Sequence, residues 1–168
     1  MPFAAASRLA LASLVALPLS VATAPDAAPA PRRCTAADLS VRLRVDGFRF
    51  DRGERVRMKM TTKNVSKLRC KMVFGSGNRG TLVIRREDGG QVWWDENCMA
   101  YTDAIVEERW RAGHRETYRG AWNQRKTGDR ETCEHDGPRA RPGLYFARGL
   151  FDGAGDVRSN RVWFRLRK

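Results

Sequence analysis

The 168-residue chain has few histidines, few acids relative to bases, and no long apolar run. Its two histidines are His114 and His135, and no serine stands in a G-x-S-x-G elbow. The adjacent acids Glu107 and Glu108 point to opposite faces if they lie on a strand, and Glu131 and Glu134 fall in a loop. Catalysis by paired acids or by a histidine-activated nucleophile is therefore not expected, and the chain is read as non-enzymatic. The four cysteines, Cys34, Cys70, Cys98 and Cys133, lie far apart. They lack the close C-x-x-C pairs from which zinc sites are built, so no metal or other cofactor is expected. The longest apolar stretch, Leu9 to Val21, is too short for a bilayer span, and no segment carries three turns of amphipathic helix. With 19 acids against 32 bases, the net charge is +13, a balance that favours anionic partners. Arginine supplies 26 of those bases, which is also what a GC-rich bacterial coding bias produces.

Residues 1–24 read as a secretory signal peptide. Arg8 precedes the apolar run, and Ala22-Thr23-Ala24 supplies a small-x-small cleavage pattern. Cleavage is expected after Ala24, or after Ala22 because Pro25 disfavours the first position. The mature protein is then secreted or extracytoplasmic, where cysteines pair rather than stay reduced. Residues 25–33 are a Pro/Ala-rich, disordered leader. Residues 34–168 suit one domain.

Within that domain apolar and charged residues alternate. Val41, Leu43 and Val45 interleave with Arg42, Arg44 and Asp46, and Val56, Met58 and Met60 with Arg55, Arg57 and Lys59. Each stretch predicts a strand with one buried face. The phase slips at Gly47, which predicts a bulge or bend, and Asp51-Arg52-Gly53 predicts a turn. Further strands are expected at 71–74, 81–86, 91–95, 104–110, 117–122, 144–151 and 161–166. The segment 91–95 is expected to pair with 81–86, and 104–110 with 117–122. About eight or nine short strands with regular turns indicate an all-β antiparallel sandwich. Cys34 and Cys70 are equidistant from Arg52, and Cys98 and Cys133 are centred between Arg115 and Glu116. Residues equidistant from a hairpin turn face each other, so the spacing proposes two disulfides, Cys34–Cys70 and Cys98–Cys133.

Outward positions on the first two strands and the last one read as one basic surface: Arg42, Arg44, Arg57, Lys59, Arg161, Arg165 and Arg167. It is either a solvated face that discourages edge pairing or a docking stripe for a polyanion or acidic protein. Trp163 shares its phase. Gly75-Ser76-Gly77-Asn78-Arg79-Gly80 fits G-x-G-x-x-G, but a strand follows instead of the helix that a dinucleotide site requires. Asn64-Val65-Ser66 fits a glycosylation sequon, a pattern frequent by chance. Trp93, Trp94, Met99, Tyr101, Trp110, Tyr118 and Trp122 are dense enough to supply either a core or a contact surface; core is the reading adopted for most of them.

An ordered series of these residues resembles the intracellular proteinase inhibitor family, the BsuPI-type domain. The series is Phe74 with Ser76-Gly77, Asp88-Gly89, Val92-Trp93-Trp94, Met99, Tyr101, Thr102, Ala104, Ala112-Gly113, Tyr118, Trp122 and Pro142-Gly143-Leu144-Tyr145. The resemblance covers residues 74–151 and implies an immunoglobulin-like sandwich connected with proteinase inhibition. The opening Cys34-Thr35-Ala36-Ala37-Asp38-Leu39 also resembles a class of secreted bacterial β domains, which supports Cys34–Cys70. This chain departs from the family pattern in its export signal, its four cysteines, its basic charge and a long charged segment from Arg125 to Arg141. The expected function is that of a secreted, monomeric binding protein whose partner is a protein, an extracellular protease in the first instance. The alternative is an envelope module holding an anionic wall polymer or lipid. Specific nucleic-acid recognition is not expected. Candidate contact residues are Asn97, Met99 and Tyr101 in one loop, Arg130 and Arg139 in another, and Arg42, Arg44, Arg57 and Arg165 on the basic surface.

Overall fold

The computed structural model describes residues 32–75, 79–95, 104–127 and 137–168. A single 3-10 turn, Ala36–Asp38, precedes the strands. These are β1 (Leu39–Val45), β2 (Arg49–Phe50), β3 (Val56–Asn64), β4 (Cys70–Phe74), β5 (Thr81–Arg86), β6 (Gln91–Trp94), β7 (Val106–Trp110), β8 (Arg115–Trp122), β9 (Gly143–Phe151), β10 (Val157–Arg158) and β11 (Val162–Leu166). Among the described residues nine strands have four residues or more, as the alternation predicts, and the two others are short edge pieces. The domain is an all-β, immunoglobulin-like sandwich. One sheet has the order β1-β3-β8, and the other β2-β11-β9-β5-β6 with β10 beside β9. Among the named strands pairing is antiparallel except between β2 and β11, which run parallel through Arg49↔Arg165 and Phe50↔Leu166. The bend at Gly47 has a clear cause: it takes the chain from β1 in the first sheet to β2 in the second.

Between the sheets lie the apolar halves of the alternating patterns. Leu43, Val56, Met58 and Met60 from the first sheet meet Leu82, Ile84, Tyr145, Ala147 and Phe164 from the second. Aromatic rings dominate. Trp122 stands 5.8 Å from Tyr145, and Tyr145 stacks on Phe164 at 6.0 Å. A second group joins Trp110, Phe74 and Phe151 at 5.6 and 5.7 Å. Such pairs add about 0.5–1.5 kcal/mol each beyond their buried area.

One of the two expected pairings needs correction. The hairpin of 81–86 with 91–95 is present as β5–β6. The expected pairing of 104–110 with 117–122 is not: β7 pairs with β4, and β8 pairs with β3. The reason is a corner. The β3–β8 ladder runs to Lys63↔Arg115, and the β4–β7 ladder resumes at Cys70↔Trp110. Backbone bonds from Asn64 N to His114 O (2.9 Å) and from Gly113 N to Asn64 O (3.0 Å) join the two ladders. β7 and β8 therefore lie end to end along one bent ribbon rather than side by side. Gly113 turns with φ 75°, a region open to glycine. Beyond the corner Val73 N bonds to Gly153 O at 3.1 Å, which brings β4 against the segment after β9.

The Asn64 side chain holds that corner. It is wholly buried, and its Nδ2 lies within hydrogen-bond reach of the carbonyl oxygens of Leu68 (3.1 Å), Arg111 (3.2 Å) and Trp110 (3.3 Å). Its Oδ1 accepts from Ser66 N (3.0 Å) and Ser66 Oγ (2.8 Å). The sequon thus has a structural explanation, and in the folded chain its amide nitrogen is enclosed rather than available to a glycan.

The Cys34–Cys70 disulfide is present, with the Cα atoms 4.9 Å apart. Its setting is not the extended hairpin that the spacing implied. The β1–β3 ladder ends at Leu39↔Asn64; before it the 3-10 turn redirects the chain, and after it the corner does. The two segments meet again in parallel at Arg33↔Lys71, with Cys34 N bonded to Lys71 O at 2.9 Å. Closing a loop across 36 residues removes unfolded-state entropy worth about 2–4 kcal/mol. Cys98 and Cys133 lie outside the described residues. The observed partners of β7 and β8 remove the hairpin-symmetry argument for joining them.

Asp38 fixes the 3-10 turn. Its carboxylate accepts two bonds from Arg32 (2.6 and 2.8 Å) and one each from Thr35 N (2.8 Å) and Thr35 Oγ1 (2.9 Å). The Arg32 guanidinium, with the Thr35 amide next, holds this carboxyl well below the usual carboxylate range. A carboxyl depressed on folding stabilises the fold above its unfolded pKa of about 4 and loses that contribution as pH falls below it. Urea midpoints measured from pH 6 down to pH 2 are expected to drop less steeply in Asp38→Asn than in the parent chain. At neutral pH, Asn64→Ala is expected to cost on the order of 3 kcal/mol in urea unfolding, because the corner carbonyls lose their donor. Ser66→Ala should cost about 1 kcal/mol.

Candidate functional site

The loop residues proposed from sequence lie outside the described residues: Asn97, Met99, Tyr101 and Thr102 on one segment, and Arg130 on the other. So do Ser76 and Gly77. Their stems are described. β6 leads to Asp95, whose Oδ1 accepts from Leu82 N (2.8 Å) and whose N donates to Leu82 O (3.2 Å). The second stem is a short two-stranded ribbon at the end of β8. Arg125 bridges Arg139, Lys126 N bonds to Pro138 O (3.0 Å), and Gly137 N bonds to Lys126 O (3.1 Å). Thr127 N reaches Val92 O on β6 at 3.1 Å, so the two stems leave the body side by side.

Gln124 sets the direction of the second stem. It adopts φ 64°, a left-handed conformation that costs a non-glycine residue of order 1 kcal/mol or more. Its buried side chain offsets this with three bonds to the turn after β2. Nε2 donates to Asp51 O (2.6 Å) and Glu54 O (2.8 Å), and Oε1 accepts from Gly53 N (3.0 Å). Trp122 Nε1 adds a bond to Arg125 O at 2.6 Å. Sequence reasoning missed Gln124 because its partners are about seventy residues away.

The described motif residues mostly build the fold. Trp93, Trp122 and Tyr145 are core residues, and Trp110 joins them. Gly113 makes the corner, and Gly143 opens β9 with φ 155°. Trp94 is half-buried, and Ala104 is exposed at the end of a candidate loop. Tyr145 Oη donates to Arg141 O at 2.5 Å, and burial pushes its phenol pKa up. His114 packs on Trp110 with ring centroids 4.6 Å apart, and its Nε2 meets no partner among the described residues. His135 lies outside them.

The single basic surface expected from sequence is two surfaces, because β1 and β3 belong to one sheet and β11 to the other. Arg42, Arg44, Arg57 and Lys59 are exposed on the first sheet. Arg161, Trp163 and Arg165 are exposed on or beside β11, with Arg167 just past its end. On that second face Phe146 and Trp163 pack at 5.0 Å, and the Arg161 guanidinium lies over the Phe146 ring at 5.0 Å. Arg148 sits there beside Arg161, Arg158 and Arg85; burial and these like charges lower its pKa. Arg139 stands apart at the stem, lining a cavity of about 420 Å³ with Arg52, Arg141 and Arg167.

The fold is that of a small, disulfide-stapled β-sandwich domain. Residues 43–153 match the family described as "Intracellular proteinase inhibitor", BsuPI, and the chain belongs to that family. No protein of curated function matches it. Among solved structures, an alkylpurine DNA glycosylase of Pseudomonas fluorescens is similar at 15% identity and TM-score 0.46, over 78% of this chain and 31% of that one. A β-glucosidase of Erythrobacter marinus gives 12% and 0.43, over 77% and 15%. A cycloisomaltooligosaccharide glucanotransferase of a Paenibacillus species gives 16% and 0.42, over 76% and 14%. This chain thus spans less than a third of each of those proteins.

Gln124→Ala is expected to speed amide hydrogen exchange at Gly53 and along the 125–127 stem by at least about tenfold, while amides of β9 stay protected. Equal exchange in both regions would show that Gln124 does not hold the stem.

Proposed function

We propose that this chain is a non-enzymatic inhibitor that binds an extracellular protease, acting outside the cytoplasm after removal of residues 1–24. The observation that carries the reading is the family match over residues 43–153, a range that includes both candidate loops. Physically, a sandwich anchored by a large aromatic core gives two neighbouring stems a fixed base. Loops held at both ends lose less entropy on docking than free segments, and a loop held in this way occupies a protease cleft without being efficiently cut. The contact residues are Asn97, Met99 and Tyr101 in 97–103 and Arg130 and Arg139 in 125–141. A Cys98–Cys133 bridge would tie the two loops together. The protein acts as a monomer.

The test is inhibition of a panel of secreted serine and metalloproteases by the purified mature protein. Submicromolar inhibition of at least one is expected. Cys98→Ser with Cys133→Ser is expected to weaken that inhibition by about tenfold or more through lost preorganisation. Failure to inhibit any member of the panel would remove the inhibitor reading.

A further inference from the structure

The register of the first sheet arranges its outward residues in rows. Arg44, Lys59 and Arg119 lie directly across from one another on β1, β3 and β8. Lys63 faces Arg115 one way and Ser40 the other. Between these rows Arg42 lines up with Thr61 and Thr117, and beyond the first row Arg57 lies next to Ala121. Neighbouring strands are about 4.8 Å apart and same-face residues about 6.8 Å apart, so the sheet presents a grid of seven cations at this spacing. Lys63, Arg115 and Arg119 come into it only once the strand partners are known.

Like charges directly opposite across strands are destabilising. Protection against edge pairing does not explain this grid, because Arg57, Lys59 and Lys63 sit on the central strand, which has no edge to protect. Coding bias does not explain it either, since two of the chain's six lysines are here. Among the described residues none of the seven is in an ion pair. Several carboxylates elsewhere are paired: Glu107 with Lys71, Glu108 and Glu116 with Arg79, and Asp51 with Arg167. Glu116 is on β8 itself, yet its carboxylate meets Arg79, whereas its neighbour Arg115 stays on the cationic face. At the rim, Asp46 Oδ1 accepts from Arg57 N (3.2 Å). A shallow hollow of about 430 Å³ runs between Arg42, Arg44, Lys59 and Lys63.

We propose that the outer face of β1-β3-β8 binds an extended polymer of phosphate repeats. Five of the seven cations are arginines, whose fork takes two oxygens of one phosphate. An extended phosphate chain lying along the sheet passes several of these cations at once, so several of its charges are neutralised together. The occupant is not read as a nucleic acid, because no aromatic side chain stands in the rows for bases to stack on. A bilayer fits less well, because between the cations the rows hold Ser, Thr and Ala, and Val65, the apolar side chain lining the hollow, is too short to anchor among lipid tails. This surface is independent of the inhibitor reading.

The test is fluorescence anisotropy of labelled long-chain inorganic polyphosphate with the mature protein. Binding is expected to weaken by at least about tenfold between 50 and 200 mM salt, the mark of counterion release. Lys59→Glu with Lys63→Glu should lower affinity by about tenfold or more and raise Tm, because each new carboxylate faces arginines, Arg44 and Arg119 across from residue 59 and Arg115 across from residue 63. It should leave protease inhibition unchanged. Arg161→Glu with Arg165→Glu changes net charge equally on the other sheet and should cost less than about threefold. Equal losses in the two pairs would reduce the effect to net charge and overturn the assignment. So would no binding of polyphosphate, or tighter binding of anionic phospholipid vesicles or single-stranded DNA.

Discussion

The arrangement of the sandwich depends on one buried carboxamide. At Asn64 two paired strands leave the first sheet together, and an antiparallel ladder can do that only if the carbonyls and amides it abandons find other partners. Asn64 supplies them from a single side chain, as donor toward the carbonyls of Leu68, Trp110 and Arg111 and as acceptor from Ser66. With the corner in place, β4 and β7 continue the ribbon beyond β3 and β8, and Cys70 arrives where the N-terminal segment can reach it. Trp110, just past the corner, then packs on Phe151 of the second sheet. The disulfide and the Arg32–Asp38 pair secure an arrangement that the corner creates.

Much of this was legible in the alternation of side chains. Period two located the strands, the expected pairing of 81–86 with 91–95 is the β5–β6 hairpin, and the slip at Gly47 marked a real change of sheet. Partner choice was not legible, for a physical reason. A strand's pattern says which residues face inward but not which neighbour it takes, and a glycine turn between two strands reads as a hairpin whether the chain folds back or turns a corner. The residue that decides, Asn64, reads locally as a sequon because its hydrogen bonds to Trp110 and Arg111 span more than forty positions. The same gap merged two basic faces into one, because alternation does not say which sheet a strand joins.

The family pattern in this chain is largely a record of folding constraints. Trp93, Trp122 and Tyr145 fill the core and Gly113 turns the corner, so their order along the chain describes how the sandwich closes rather than what it touches. In the function proposed above, contact chemistry falls to the segments between those core positions. That division explains why the family was recognisable from residues 74–151 while individual contact residues were not. It also shows why Gln124 matters: it accepts left-handed strain so that the segment after β8 leaves the core at a fixed angle.

The charge distribution follows from the same separation of core and surface. A sheet whose inner face is packed as this one is can carry unfavourable electrostatics on its outer face, because opposed cations cost tenths of a kcal/mol each in water whereas the burial of Met58, Met60 and Val56 stabilises by several. The two ends of that sheet differ. Lys63 and Arg115 lie at the corner, while Arg57 and Ala121 lie one residue before Val56 and Trp122 in the pairing, where the chain leaves for Gln124 and the second stem. A polymer lying on the cation rows and a protein meeting the loops would therefore occupy different parts of one rigid body, with no shared side chain to make them compete. Groups that share no partner contribute independently. An anionic polymer would then raise the local concentration of the loops without altering their affinity, and tethering of this kind strengthens capture by geometry alone.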